Sequence, residues 1–289
     1  MKNKIILFLH FQVLFIFPFF LSAQINEGKS LLWKISGNGL EKESYLFGTI
    51  HLICEDQFKM DERILKALSK SEKIALEIDF TDPNVMMDMQ RLSVNKDFAN
   101  IKDEFELEHQ IAVDAFLKES FGVGLEQMGI MKPFVLSSMI MTKMMPCEQI
   151  GGYEMFFVRK AQDEKTPIVG LETVASQVGI FDQIPIQVQL KDIGKMVTEK
   201  NVIEEFAAMV KAYLEEDIEQ LYQMIASSDL FKDYEDLLLV NRNKSWIPII
   251  EELVKEQPTF IAVGSGHLAS EMGVIQLLRD AGYTIEAIK

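Results

Sequence analysis

Short runs rich in β-branched and aromatic residues punctuate this chain, and between them apolar positions recur at helical spacing. Residues 31–36 read as a first strand, Gly37-Asn38-Gly39 supplies a turn, and residues 45–51 return as its antiparallel partner. Further strands are predicted over 73–79, 166–172, 259–263 and 283–288. In 73–79 the alternation sets Ile74, Leu76 and Ile78 on one face, with Ala75, Glu77 and Asp79 on the other. Residues 61–71 predict a helix opened by Asp61, with Ile64, Leu65 and Leu68 on one side. From 82 to 145 the pattern stays helical: first 84–92, then 106–119 carrying Ile111, Ala115 and Phe116, then a methionine-rich stretch that Pro133 begins. Gly151-Gly152 breaks the chain before a helix over 153–163. Residues 173–257 are helical again with acidic turns, and the last of these helices, 244–256, carries Trp246, Ile249, Ile250 and Leu253. A helix over 270–281 precedes the final strand. Strands alternating with helices predict an α/β fold: a mixed central β-sheet wrapped by helices, with a helical insertion.

The first 23 residues stand apart from that pattern. Lys2 and Lys4 precede an almost wholly apolar run, and Leu21-Ser22-Ala23 offers small residues for cleavage, so 1–23 read as a signal peptide. The expected product is periplasmic or secreted, begins near Gln24, and keeps no stable membrane anchor. Residues 24–289 then form a single α/β domain, with no Ser/Pro/Gly-rich linker to divide it. Losing Lys2 and Lys4 leaves 27 basic against 44 acidic residues, a net charge of −17. That charge excludes a nucleic-acid binder, which needs a basic face. The methionines after Pro133 read as core filling, or as an adaptable surface.

Cys54 and Cys147 are the only cysteines. In an oxidising compartment an even pair predicts a disulfide, which would pin the loop that leaves His51; free thiols or a zinc ligand are the alternatives. The chemistry-bearing positions share one trait, a polar group at or near a strand's C-terminal end. Gly48-Thr-Ile-His51 and Gly264-Ser-Gly-His267 each end a strand in Gly-x-x-His, and Glu77, Asp79 and Glu172 end two others. Two neutral imidazoles and a carboxylate make a three-ligand set that leaves a divalent metal one open position. A second carboxylate would then serve as general base. Each residue also has a plainer reading. Glu77 pairs in burial with Arg159 or Arg242, Glu172 caps the helix begun by Thr173, Asp79 lies at a helix start or in solvent, and His109 sits on the surface. Tyr153 and Glu154, after the glycine pair, are candidates to line a substrate cleft, and Arg242 to steady an oxyanion. Gly-x-Ser-x-Gly, His-Glu-x-x-His and Walker patterns are absent from the sequence.

The chain resembles the TraB/GumN family, which includes the Tiki metalloproteases. The residues that carry the resemblance are Tyr45-Leu-Phe-Gly-Thr-Ile-His-Leu52, Ala75-Leu-Glu-Ile-Asp79, Ile168-Val-Gly-Leu-Glu-Thr173 with Gln177, and Arg242-Asn243. Gly264-Ser-Gly-His-Leu268, Gly273-Val-Ile-Gln-Leu-Leu278 and Ala281-Gly-Tyr283 complete it. The resemblance implies a fold related to erythromycin-esterase-like and ChaN-like proteins. It also implies a metal-dependent peptidase or hydrolase with two Gly-x-x-His motifs and a glutamate. The expected assignment is His51, Glu77 and His267 as ligands of Mn, Co or Zn, with Glu172 and Arg242 catalytic and a peptide or small molecule as substrate; the sequence also permits the two glutamates to exchange roles. A metal-free hydrolase with a histidine base, and a non-catalytic peptide- or heme-binding module, are the competing expectations.

Overall fold

The computed structural model describes residues 29–289, so the leader read over 1–23 lies outside the described residues. A six-stranded sheet forms the centre, and its spatial order is β6-β4-β7-β2-β1-β8. These strands are β1 (Leu32–Gly37), β2 (Ser44–Thr49), β4 (Lys73–Leu76), β6 (Ile168–Gly170), β7 (Thr259–Gly264) and β8 (Tyr283–Ala287). β6, β4, β7 and β2 run parallel, while β1 is antiparallel to both β2 and β8. The mixed sheet wrapped by helices is the one the strand and helix pattern predicts.

β2 is buried along its whole length and β7 along nearly all of it, as expected for strands covered on both faces. The alternation read in 73–79 therefore separates two buried faces, not core from solvent: Ile74, Ala75 and Leu76 are all buried. The main core joins Leu46, Phe47, Phe260 and Ile261 of the sheet to Trp246 and Ile250 on the helix Asn241–Glu256 and Phe157 on Tyr153–Glu164. Burial of side chains this large contributes about 1.5–3 kcal/mol each before the entropy of ordering them is counted.

A second, all-helical core holds Val113 and Leu117 of the helix Leu107–Phe121 against Leu190 and Ile193 of Ile186–Thr198. Met139, Met141 and Met144 pack against this cluster, which is the core-filling use of the methionine-rich stretch. Two expectations fail here. Ile111 is 62% exposed, and the face turned inward carries His109, Val113 and Leu117 at intervals of four. His109 is not a surface residue, because a Cβ added at Gly194 would lie 2.2 Å from its Cγ. Its Nδ1 is buried without a hydrogen-bond partner.

Two features lay outside the sequence reading. β3 (Ile53–Cys54) and β5 (Ile150–Gly151) form a separate two-stranded ribbon, and Cys54 is disulfide-bonded to Cys147 beside it, as the even cysteine pair predicts. Residues Asp236–Val240 form a widened π-turn that runs directly into the helix Asn241–Glu256. Among the described residues no helix is long and apolar enough to cross a membrane.

Candidate active site

Each strand of the parallel set is followed within three residues by a histidine or a glutamate. His51 comes after β2, Glu77 after β4, Glu172 after β6 and His267 after β7. Because those strands are neighbours with a common direction, the four arrive at one edge of the sheet, the carboxyl edge where α/β folds hold ligands. Asp79 is not among them; its carboxylate accepts from the Thr81 N–H at 2.8 Å in a local turn.

Gly264 marks where these residues meet. A Cβ there would stand 3.3 Å from Glu77 Oε1, 3.6 Å from His267 Cδ2 and 3.7 Å from His51 Nε2. A second glycine, Gly48, allows the close approach of the next loop, since its Cβ would fall 2.7 Å from Leu268 Cδ1 and 3.2 Å from Ser265 Cα. The Gly48 carbonyl accepts from the buried Tyr213 hydroxyl at 2.9 Å, which fixes the end of β2.

Arg242 lies at the centre of the acidic half. Its Nη2 donates to Glu77 Oε2 at 2.6 Å and to Glu172 Oε1, its Nε donates to Glu172 Oε1 at 3.1 Å, and its Nη1 donates to His267 Nε2 at 3.0 Å. Of the two partners proposed for Glu77, then, Arg242 is the one it meets. Glu172 does not cap the following helix. Thr173 does, through reciprocal bonds with Ser176, and leaves Glu172 to the guanidinium. Gln177 bridges both carboxylates at 3.0 and 2.9 Å, and the Gly264 N–H donates to Glu77 Oε1 at 2.8 Å. These side chains are 8–16% exposed, so an unpaired charge among them would be expensive. The π-turn just before Arg242 re-aims the side chains that follow it, and its Leu238 carbonyl accepts from Arg242 Nη1 at 3.2 Å.

His267 is buried, and its Nδ1 donates to Asn243 Oδ1 at 2.6 Å. The Asn243 amide is oriented by donating to the Met272 carbonyl at 2.8 Å. This fixes the Nδ1–H tautomer, with the Nε2 lone pair turned toward Arg242. Burial pushes the His267 pKa down to about 3, with Glu77 opposing the shift and Arg242 adding to it. The Trp246 ring closes the other side, 4.6 Å from the imidazole and 4.9 Å from the guanidinium carbon. Burial alone would raise the Glu77 pKa, but His267 when charged, Arg242 at every pH, His51 and the Gly264 N–H together hold it well below the usual range.

His51 forms the second half of the site. Its side chain is 68% exposed, and Nδ1 lies 3.1 Å from Glu154 Oε1, which also accepts from Thr49 Oγ1 at 2.7 Å. The hydrogen bond to Glu154 raises the His51 pKa, an effect that water around the exposed ring tempers. Tyr153 and Glu154, expected together, occupy different places. Glu154 orients His51, whereas Tyr153 is 2% exposed, packs at a tilt against Phe58 with ring centroids 4.6 Å apart and donates to the Lys59 carbonyl at 2.9 Å. Thr49, Gln177 and Asn243 have no site role legible in residue type or spacing, although all three stand within the stretches that carry the family resemblance.

The sequence model of one family, TraB/PrgY/gumN, matches residues 31–287, nearly the whole chain. The chain belongs to the TraB/PrgY/gumN family. No curated protein and no solved structure matches it. The donor types expected for the divalent ion that the family resemblance implies, two imidazoles and carboxylates, converge here, but as placed they are not spaced to hold it. Both imidazoles of this TraB/PrgY/gumN protein are tied through Nδ1 to an oxygen acceptor, the arrangement that orients metal-binding histidines and presents Nε2. Glu77 and Glu172 share the single Arg242 guanidinium, one carboxylate more than it can balance, while Glu154 is paired with His51. Arg242 engages Glu77 Oε2 and His267 Nε2, and among the described residues no three acidic, histidine or cysteine side chains are spaced to hold an ion.

Proposed function

We propose that this protein is an exported metal-dependent hydrolase, a peptidase in the simplest reading. The observation that carries the proposal is the meeting of His51 Nε2, Glu77 and His267 around Gly264, with each histidine's other nitrogen held by its own acceptor. His51, Glu77 and His267 would hold the ion. When bound, it supplies a polarised carbonyl and a water acidified toward neutrality. Asn243 and Glu154 keep the imidazoles oriented, Glu172 is the remaining carboxylate for proton transfer, and Arg242 is the fixed positive charge nearest a developing oxyanion. The ring of Trp246 and the buried strand ends exclude water from the inner half, which strengthens each of these interactions.

A metal-free hydrolase is the second reading, and one observation favours it. Arg242 already supplies positive charge between Glu77, Glu172 and His267, while His51 and Glu154 form a base with its orienting carboxylate. Metal analysis of the purified mature protein, followed by peptide hydrolysis in chelator and after addition of Mn²⁺, Co²⁺ or Zn²⁺, separates the two. On the first reading His51→Ala or His267→Ala removes most bound metal and nearly all turnover, and chelator abolishes activity. Full activity in chelator supports the second. A protein that binds no metal, cleaves no peptide and shows a Soret band on heme addition overturns both.

A further inference from the structure

The two halves of the site are carried by different parts of the fold. Glu77, Glu172, Arg242 and His267 stand on the six-stranded sheet and on the helix Asn241–Glu256, both embedded in the main core. His51 and Glu154 do not share that support. His51 lies in the segment between β2 and β3, and Glu154 lies in the first turn of the helix that follows β5. The ribbon that brings these segments side by side has only two rungs, Ile53 opposite Gly151 and Cys54 opposite Ile150, extended by the Glu55 N–H to the Gln149 carbonyl at 3.0 Å. A two-stranded ribbon this short is marginal by itself. Cys54 is its last residue on one strand, and the disulfide to Cys147 ties it to the chain entering the other across 93 residues.

We propose that the Cys54–Cys147 disulfide is a positioning element for one half of the site: it keeps the His51 segment and the Glu154 segment in register, so that His51 Nε2 faces Glu77 and His267. Three anchors bound the region that it controls. Ile53 is fully buried, the Tyr153 hydroxyl bonds to the Lys59 carbonyl, and Phe58 packs against the Tyr153 ring. These hold the ribbon to the core at its far end and at the root of the helix. The register of the exposed His51 against Glu154 is left to the two rungs, the Glu55–Gln149 bond, the Thr49 hydroxyl and the disulfide. Cys54 is buried and Cys147 half-buried, so a small reductant can reach the bond from the Cys147 side.

The proposal rests on the hydrolase reading for its effect on turnover, so its primary readout needs no substrate. Folded protein is reduced with a trialkylphosphine, which becomes the phosphine oxide with an oxygen from water while both cysteines become thiols, and amide hydrogen exchange is followed by mass spectrometry. Protection over residues 50–58 and 147–156 is expected to fall by roughly tenfold or more, with β4 and β7 changed by less than about twofold. In the same sample kcat is expected to drop about 10- to 100-fold, the scale of a misplaced reacting group, with KM little changed. Re-oxidation restores both. A Cys54→Ser/Cys147→Ser double variant, if it folds, behaves like the reduced protein and is not rescued. Unchanged protection over both segments overturns the proposal, and so does an equal loss across β2, β4 and β7, which would make the bond a staple of global stability. If no hydrolysis is found in either state the proposed function fails, while the exchange result still decides this one.

Discussion

Replacing Arg242 by alanine asks whether one guanidinium is what allows two carboxylates to stay buried. Glu77 and Glu172 are 11% and 8% exposed, and both meet Arg242 directly. Removing one member of a buried ionic set leaves the others uncompensated, at a cost of about 3–5 kcal/mol. Gln177 and the Gly264 N–H remain as donors to Glu77, which places the expected loss toward the lower end of that range. Arg242→Lys keeps the charge but not the planar fork that reaches Glu77, Glu172 and His267 together, so it should recover only part of the loss. The pH dependence gives a sharper check. In the wild type the Glu77 pKa is lowered from 4.5, so its pairing stabilises the fold above pH 4.5 and is lost as pH falls toward about 2. Without Arg242, burial favours the protonated carboxyl, and the variant gains ground as pH drops. Urea unfolding of metal-free protein at pH 7.5 and pH 4.5 should therefore show a deficit that shrinks at the lower pH. A loss below about 1 kcal/mol at pH 7.5, the scale of a surface pair, would refute the reasoning, and so would an equal loss at both values.

Three further outcomes are expected. Because burial holds His267 neutral down to about pH 3, the unfolded state takes up a proton below pH 6.5 that the folded state refuses; metal-free protein should lose up to about 1.4 kcal/mol per pH unit through that window, and His267→Asn should flatten the upper part of the slope in urea titrations. Gly48→Ala should cost about 1–3 kcal/mol by driving a methyl into Leu268 and Ser265, measured as a lowered unfolding midpoint, whereas Gly264→Ala should leave the midpoint nearly unchanged and lower turnover by shifting the Glu77 carboxylate. Exported protein should begin near Gln24, which N-terminal sequencing checks; retention of Met1 on membrane-bound material would count against the leader.

Much of the site could be read from the chain because the rule that places it is local. A strand that ends in Gly-x-x-His, or in an acidic residue after an apolar run, puts that residue at the carboxyl edge, and parallel pairing does the rest. What could not be read depends on partners distant in sequence. Glu77 had two candidate arginines, and only the packing of the helix Asn241–Glu256 beside β7 chooses Arg242 over Arg159. Glu172 looked like a helix cap because a carboxylate before Thr173 suits one; the Thr173–Ser176 pair takes that place and frees it. The β3–β5 ribbon is too short to leave a periodic signal, so the link between His51 and Glu154 was invisible. On the helix Leu107–Phe121 the apolar residues Ile111, Ala115 and Phe116 suggest one inward face, whereas His109, Val113 and Leu117 form it, because Gly194 leaves room for the imidazole.

The pairing of β2 with β7 also orders events in time. The Thr259 N–H donates to the Ser44 hydroxyl across a separation of 215 residues, and the registered strands beyond that bond carry His51 and His267 to the same edge. Contacts this distant form late, since loop closure must be completed before they can stabilise anything. A chain emerging from its N-terminus holds His51, Glu77 and Glu172 without Arg242 or His267, and so has no assembled site. The proposed site is therefore complete only once the last strands have entered the sheet.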